Sequence, residues 1–463
     1  MTRTVIWILI FSLSVIGQTL KAEDVVGIPS EKSAKRLFEE ARDFGKRSES
    51  NPASDALPPR ASKVERIVTQ KEFAANSAAL LAARKDLTLT DRHYLGMLYW
   101  IAGDLSNAET SLLRSLVAAE LDAEQKQLSR SILVIINAKQ KDFDVAEQLL
   151  SEFSAAKPLR ASDAFRLESE ISVAYQAVGN ITMAIPHAEK ALKSATAIFA
   201  EQRINETAVD QLLEAGLHLF ELNQAAGNKN KAVAALEELR NSAQIVEAPV
   251  AYYLATDELV KYLIDVGEKN TALKIFEDAR IGGISGFQNQ GTRDDLKQRL
   301  DRREIHYSLL GEMPNPLVDV VKSINGETIT LDQLKGKVVL LDFWATWCGP
   351  CIEAFPTLRT WHEQFKGDLE IVGITRFYGF AGAKYVNAVQ EFEYLKSFVS
   401  EQKIDYRILI SDGIANQLRF GAMNLPTAVL LDRSGRVRYI EIGTSGSRLI
   451  ELRKKLVELI GEK

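Results

Sequence analysis

Five short segments recur along the middle of the chain, and their spacing limits what it can fold into. They are Gly103-Asp-Leu-Ser-Asn-Ala108, Lys141-Asp-Phe-Asp-Val-Ala146, Gly179-Asn-Ile-Thr-Met-Ala184, Gly227-Asn-Lys-Asn-Lys-Ala232 and Gly267-Glu-Lys-Asn-Thr-Ala272. Successive alanines lie 38, 38, 48 and 40 residues apart, near the period of helix–turn–helix solenoids. Glycine ends a helix in the left-handed conformation, and a small alanine lets the next helix approach closely. From about Ser30 to Leu310 the apolar residues follow helical periodicity. Pro52, Pro58 and Pro59 mark a loop between early helices, whereas Pro158, Pro186 and Pro249 stand alone. A helical bundle with recurrent Gly-Asn turns is the alternative architecture. His93, His187, His218 and His306 fall in separate helical segments without metal-ligand spacing, and read as packed or solvated residues.

In the first unit Leu95, Gly96 and Tyr99 precede Gly103, and Ala108 and Leu112 follow it. These offsets resemble a tetratricopeptide repeat. Later units keep part of the pattern, such as Ile171, Tyr175 and Ala191, at spacings above the usual length. The resemblance implies a degenerate array that docks a partner the sequence does not name, or that spaces another domain.

The ends of the chain carry different signals. An apolar run from Val5 to Ile16 follows Arg3 and precedes Lys21, Ala22 and the acidic Glu23-Asp24. Twelve helical residues rise about 18 Å, short of the ~30 Å hydrocarbon core, so the run reads as an export signal cleaved after Ala22. An uncleaved anchor is the alternative, because Leu20 is large for a cleavage site. Export leads to a compartment where disulfides persist, the bacterial periplasm being the expected one. A net charge of −5 gives no general attraction to nucleic acid. With 463 residues and 2 cysteines, the chain is multidomain and not a disulfide-stapled scaffold. The expected organisation is a signal at 1–22, a helical lead-in at 23–90, an all-α repeat region at 91–310 and an α/β domain at 311–463.

Past Gly311-Glu-Met-Pro-Asn-Pro316, which reads as a turn and extended linker, short apolar runs alternate with helical ones. Val318–Ser323 and Glu327–Leu331 flank Asn325-Gly326 and read as a hairpin. Lys337–Phe343 reads as a buried strand, followed by Trp344-Ala-Thr-Trp-Cys348-Gly-Pro-Cys351 and an amphipathic helix to about Phe365. Further strands are expected at Leu369–Thr375, Tyr406–Ile410, Ala428–Leu431 and Val437–Ile442, with helices at Glu391–Gln402, Asp412–Phe420 and from Ser445. Cys348 falls at a helix N-terminus, where unpaired N–H groups and the helix dipole favour a thiolate. Cys351 lies one turn on. Pro350 is tolerated there because first-turn amides have no helical partner.

Asp342 to Cys351, with Leu425-Pro426-Thr427, resembles the thioredoxin superfamily, and the Gly336–Trp344 run resembles its TlpA/ResA-like thiol–disulfide oxidoreductases. The resemblance covers about Pro316 to the C-terminus and implies a thioredoxin fold. It implies that Cys348 attacks, that Cys351 resolves, and that the two form the redox disulfide, with no cofactor beyond the dithiol and no metal. Asp342 would accept the proton of Cys351, a role open to a buried carboxyl of raised pKa. Pro426 would be cis and turn the Leu425 backbone towards an extended substrate segment. Trp347, Gly349, Pro350, Leu425 and Pro426 would form the substrate surface. Two positions depart from the pattern: the lysine that pairs with the thioredoxin carboxylate falls near Gly373, and the ResA-type glutamate falls at Ala354, with Glu353 beside it.

The aromatic run Arg376–Tyr385 could shape the site or pack on itself. The reading reached is an exported reductase of protein disulfides, recharged by a membrane thiol donor. A vestigial redox domain on an interaction protein is one alternative. A peroxide reductase is another, although Leu341 and Ala345 occupy the places of its loop proline and threonine.

Overall fold

The computed structural model describes residues 32–44, 63–201, 205–443 and 446–462. The expected signal at 1–22 and the loop at Pro52, Pro58 and Pro59 lie outside them. Two compact units divide at Ser242 and Ala243.

The first unit is helical: α1 (Ala34–Arg42), α2 (Lys63–Ala82), α3 (Leu89–Ala102), α4 (Leu105–Ser115), α5 (Ala123–Gln140), α6 (Phe143–Ala155), α7 (Ala161–Ala177), α8 (Ile181–Glu201) and α9 (Glu206–Ala225), with α10 (Lys229–Ile245) ending at the division. The recurring segments are the turns within pairs α3/α4, α5/α6, α7/α8 and α9/α10; the fifth joins α11 (Pro249–Asp265) to α12 (Lys269–Asp278) in the second unit. Gly103, Lys141, Gly179, Gly227 and Gly267 all have φ between 67° and 88°. In every turn the following amide closes a bond six residues wide, as in Asp104 N–H to Tyr99 O at 2.9 Å and Asn180 N–H to Tyr175 O at 2.9 Å, the left-handed helix stop. Asp104 and Asp142 then cap the next helix, accepting from the amides of Asn107 and Val145. The alanines Ala108, Ala146, Ala184, Ala232 and Ala272 are wholly buried. Gly96 is needed for a different reason: a Cβ there would lie 2.6 Å from Leu112 Cγ.

The histidines of the first unit are packed. His93 bonds Ser129 at 2.8 Å, His218 bonds Ser172 at 2.9 Å, and His187 lies between Glu168 at 2.6 Å and Glu147 at 2.8 Å.

The second unit adds α13 (Gln290–Asp301) and α14 (Glu304–Leu309) before an α/β domain. Its strands are β1 (Val320–Ile324), β2 (Val338–Phe343), β3 (Leu369–Arg376), the short pair β4 (Phe380–Ala381) and β5 (Lys384–Tyr385), β6 (Arg407–Ser411), β7 (Thr427–Leu431) and β8 (Val437–Ile442). Its helices are α15 (Gly349–Gln364), α16 (Ala388–Glu401), α17 (Ala415–Arg419) and α18 (Gly446–Gly461). The main sheet has the order β1-β6-β3-β2-β7-β8, with β2, β3 and β6 parallel and the other pairings antiparallel. Every residue of β2 is buried, as a central parallel strand requires.

Two sequence expectations change. Asn325 and Gly326 do turn the chain, at φ 60° and 144°, but Glu327–Leu331 is not a strand, and β1 pairs antiparallel with β6. Asn325 Nδ2 donates to the carbonyls of Ile404 and Tyr406, and Arg407 donates to Glu327 O. These long-range bonds tie the turn to β6, and one of them occupies the Glu327 carbonyl, a backbone group of the expected hairpin. The expected linker is also anchored, since Gly311 N–H donates to Val437 O at 2.7 Å and Val437 N–H to Glu312 O at 2.9 Å.

Lys141 supplies the left-handed turn without being glycine, at a cost of about 1–2 kcal/mol. Lys141→Gly should therefore stabilise the helical unit by about 0.5–1 kcal/mol and Gly179→Ala should destabilise it by a similar amount, both read from urea midpoints.

Candidate active site

Strand β2 leaves the sheet at Phe343 and the chain enters α15 within six residues, which puts Cys348 at the helix N-cap. Cys348 and Cys351 form a disulfide. The Cys351 N–H donates to Cys348 Sγ at 3.2 Å, so a first-turn amide points at the sulfur expected to carry the charge. Cys348 is only 4% exposed and Cys351 1%, while Gly349, Pro350 and Trp347 are exposed beside them.

The Leu425–Pro426 bond is cis. It precedes β7, whose first residue Thr427 stands opposite Phe343 in the β2–β7 register. The loop before β7 and the motif after β2 therefore leave the same edge of the sheet. Pro426 is buried and Leu425 half-buried, and Leu425 packs against the apolar cluster containing both cysteines.

Asp342 shares a face with Leu340 and Trp344, two residues to either side, which places it on the face packed under α15. It is wholly buried, and Oδ2 has no hydrogen-bond partner. Burial pushes its pKa up to about 7, within reach of proton exchange near neutrality. Gly373 is its register partner on β3. A Cβ there would lie 2.4 Å from Ile408 Cδ1 and 2.9 Å from Trp344 Nε1, and glycine at this closely packed position gives Asp342 no cationic partner. Ala354 is buried and Glu353 exposed, so Glu353 does not take the place of a carboxylate facing the core. The Tyr406 hydroxyl is also buried without a partner, and burial together with the nearby Asp342 charge raises its pKa well above the ordinary value.

Trp347 meets the aromatic loop. Its ring stands edge-on to Tyr378 at 5.4 Å, and the Arg376 guanidinium lies 4.0 Å above the Tyr378 ring. Gln417 of α17 donates to the Tyr378 hydroxyl at 3.1 Å and accepts from Arg376 at 2.9 Å. Buried Glu391 accepts the amides of Tyr378 and Gly379, both at 2.8 Å. The run after β3 is thus tied to the rim of the site.

Residues 314–456 match the Redoxin family model. The C-terminal domain is a Redoxin domain. Two curated relatives each align over less than a third of the chain. Thioredoxin-like protein YneN of Bacillus subtilis is 29% identical over 131 residues, 28% of this chain and 71% of that protein. Thiol-disulfide oxidoreductase ResA of Halalkalibacterium halodurans is 28% identical over 142 residues, 30% of this chain and 72% of that protein. A solved thiol-disulfide isomerase from Corynebacterium glutamicum is 21% identical, covering 33% of this chain and 100% of that one at TM-score 0.28.

The Redoxin domain contains residues that sequence reasoning did not assign to the site. Glu391 was visible only as a first-turn helix carboxylate, a favourable place on dipole grounds alone. Gln417 and Tyr406 gave no signal, since their partners come from other segments.

The raised pKa of Asp342 fixes the sign of a stability change. Its folded value lies above the ordinary 3.8, so the stabilisation it gives is complete below about pH 4 and is lost as the pH rises through about 7. Asp342→Asn should remove this loss. At pH 8 the variant should be the more stable protein in chemical denaturation, by up to about 1.4 kcal/mol for each pH unit between the two values, and the advantage should vanish at pH 4.

Proposed function

We propose that the chain is a thiol–disulfide oxidoreductase that reduces protein disulfides through Cys348 and Cys351. The observation that carries this reading is the cysteine pair at the N-terminus of α15, with the Cys351 amide directed at Cys348 Sγ. In the reduced protein the Cys348 thiolate attacks a substrate disulfide, forming a mixed disulfide and releasing one substrate thiolate. Cys351 gives its proton to the Asp342 carboxylate, and its thiolate attacks Cys348 Sγ. The second substrate thiolate leaves, two electrons have passed to the substrate, and the Cys348–Cys351 disulfide remains. Asp342 fits the proton step because a carboxyl with a pKa of about 7 is both ionised and protonated in useful amounts at neutral pH.

Substrate recognition follows from the surroundings. Trp347, steadied by Tyr378, gives an apolar rim suited to a partner surface. Gly349 and Pro350 are exposed beside the buried sulfur and form the surface a partner would meet first, and the Leu425 backbone before Pro426 offers strand-like pairing to an extended segment. The Gly-Pro dipeptide between the cysteines, by its resemblance to thioredoxin, favours the reducing direction. A reductase in an oxidising compartment needs an external reductant, and the expected donor is a membrane thiol protein. The apolar run at Val5–Ile16 supports export, and no helix among the described residues is long and apolar enough to cross a membrane. The five helix pairs, tetratricopeptide-like in their spacing, suit a partner-docking role. A peroxide reductase is disfavoured by Leu341 and Ala345, and a vestigial domain by the intact pair.

Cys348→Ser should abolish insulin-disulfide reduction by the full chain. Cys351→Ser should accumulate a mixed disulfide visible as a covalent adduct on non-reducing gels. Undiminished reduction by Cys348→Ser would remove the catalytic assignment. Asp342→Asn should slow resolution about 10- to 100-fold near pH 7, read as a longer-lived adduct in single-turnover mixing.

A further inference from the structure

The loop Gly421–Leu425, which leads into Pro426, is held by a residue that lies outside the Redoxin domain. His306 on α14 is 1% exposed, and its Nε2–H donates to Gly421 O at 3.1 Å. Its other ring nitrogen, Nδ1, lies 3.3 Å from Arg303 Nη1. A guanidinium only donates, so Nδ1 must accept and the proton must sit on Nε2. Burial, reinforced by the Arg303 charge, pushes the His306 pKa down to about 4, and the ring is neutral at physiological pH. Arg303 is itself fixed by Asp257 of α11, at 2.6 and 2.7 Å. Asp257 also takes Lys261 at 2.6 Å and the Tyr307 hydroxyl.

The contact on the loop side is equally close. Gly421 has φ +63°, and a Cβ there would lie 2.6 Å from His306 Nε2, so the backbone rests directly on the imidazole. The next amide, Ala422 N–H, donates to Gln417 O at 2.7 Å, and the Gln417 side chain holds Tyr378 and Arg376. Phe420 is buried against Phe343 at the end of β2, with ring centroids 5.4 Å apart. Gly421 thus lies between the buried Phe420 and the buried, bonded Ala422, which is followed by Met423, 53% exposed.

We propose that His306 is a positioning residue for substrate binding, and that α14 sets the path of Gly421–Leu425 so that a polypeptide can pair beside Cys348. This rests on the disulfide-exchange reading. It assigns to a helix outside the Redoxin domain a share of the binding site, acting on macromolecular disulfides and not on small ones, which need no strand pairing.

The test uses the full-length protein with two disulfides, insulin and 5,5′-dithiobis(2-nitrobenzoate). His306→Phe keeps the ring volume but removes the donor, whereas the His306→Gln amide can still reach a carbonyl. The expected result for His306→Phe is a KM for insulin raised about tenfold, the scale of one lost buried hydrogen bond, with kcat and the small-disulfide rate within about twofold of wild type. His306→Gln should recover most of the insulin KM. Equal losses on both disulfides, or no change on insulin, would overturn the proposal. Should the Phe variant not fold, histidine-selective ¹⁵N NMR of the wild type decides: a neutral ring protonated at Nε2 down to about pH 5 is expected, and a ring protonated at Nδ1 or titrating near its ordinary value contradicts the positioning bond. Wild-type protein inactive on both disulfides removes the exchange reading itself. An active wild type with an unaffected Phe variant removes only the role of His306.

Discussion

The Cys351 amide aimed at Cys348 Sγ is the interaction on which the rest of the site depends. It exists because β2 is a fully buried parallel strand that must leave the sheet and enter a covering helix, and because Gly349 and Pro350 let that helix begin at once. The same crossover sets Asp342 under α15. The sheet register then places the loop before Pro426 at the edge where the cysteines emerge. On the proposed mechanism, the end of β2 would supply the nucleophile and the proton acceptor, and the neighbouring start of β7 one wall of the substrate site.

The electrostatics of Asp342 are settled by what stands opposite it. A cation close by would pull a carboxyl down by about 1–3 pKa units, and burial acts the other way. Gly373, packed against Trp344 and Ile408, offers no side chain, so burial prevails and the group sits at about 7. The carboxyl can then serve as a proton acceptor without a lysine partner, at a cost to stability above neutrality. Asp257 shows the opposite outcome. It is as deeply buried, but Arg303 and Lys261 overcome the burial and hold it well below the carboxylate range, so it serves as an anchor and not as a proton carrier.

Much of this was legible in the sequence where the cause is local. The five turns could be read because each needs a left-handed residue at the helix stop and a small buried alanine five residues on, and even Lys141 betrayed itself by the Asp that follows and by that Ala. The strand–Cys-Gly-Pro-Cys–helix order and the empty place at Gly373 were legible for the same reason. The Asn325-Gly326 hairpin was misread because its turn is local but its partner is β6, chosen by bonds from Asn325 and Arg407 across the sheet. The tie between His306 and Gly421 spans 115 residues and leaves no pattern in either segment. A lone histidine in a helix looks the same whether it packs idly or holds a loop.

The central claim is that Cys348 and Cys351 are a working dithiol on the reducing side of the scale. Equilibration of the purified chain with thiol redox buffers, read by quantifying free thiols, tests it most directly. The account predicts a reversible two-electron transition with a midpoint nearer the thioredoxin value of about −270 mV than that of strong oxidants. A midpoint near about −120 mV, or a disulfide that does not exchange at all, would contradict it.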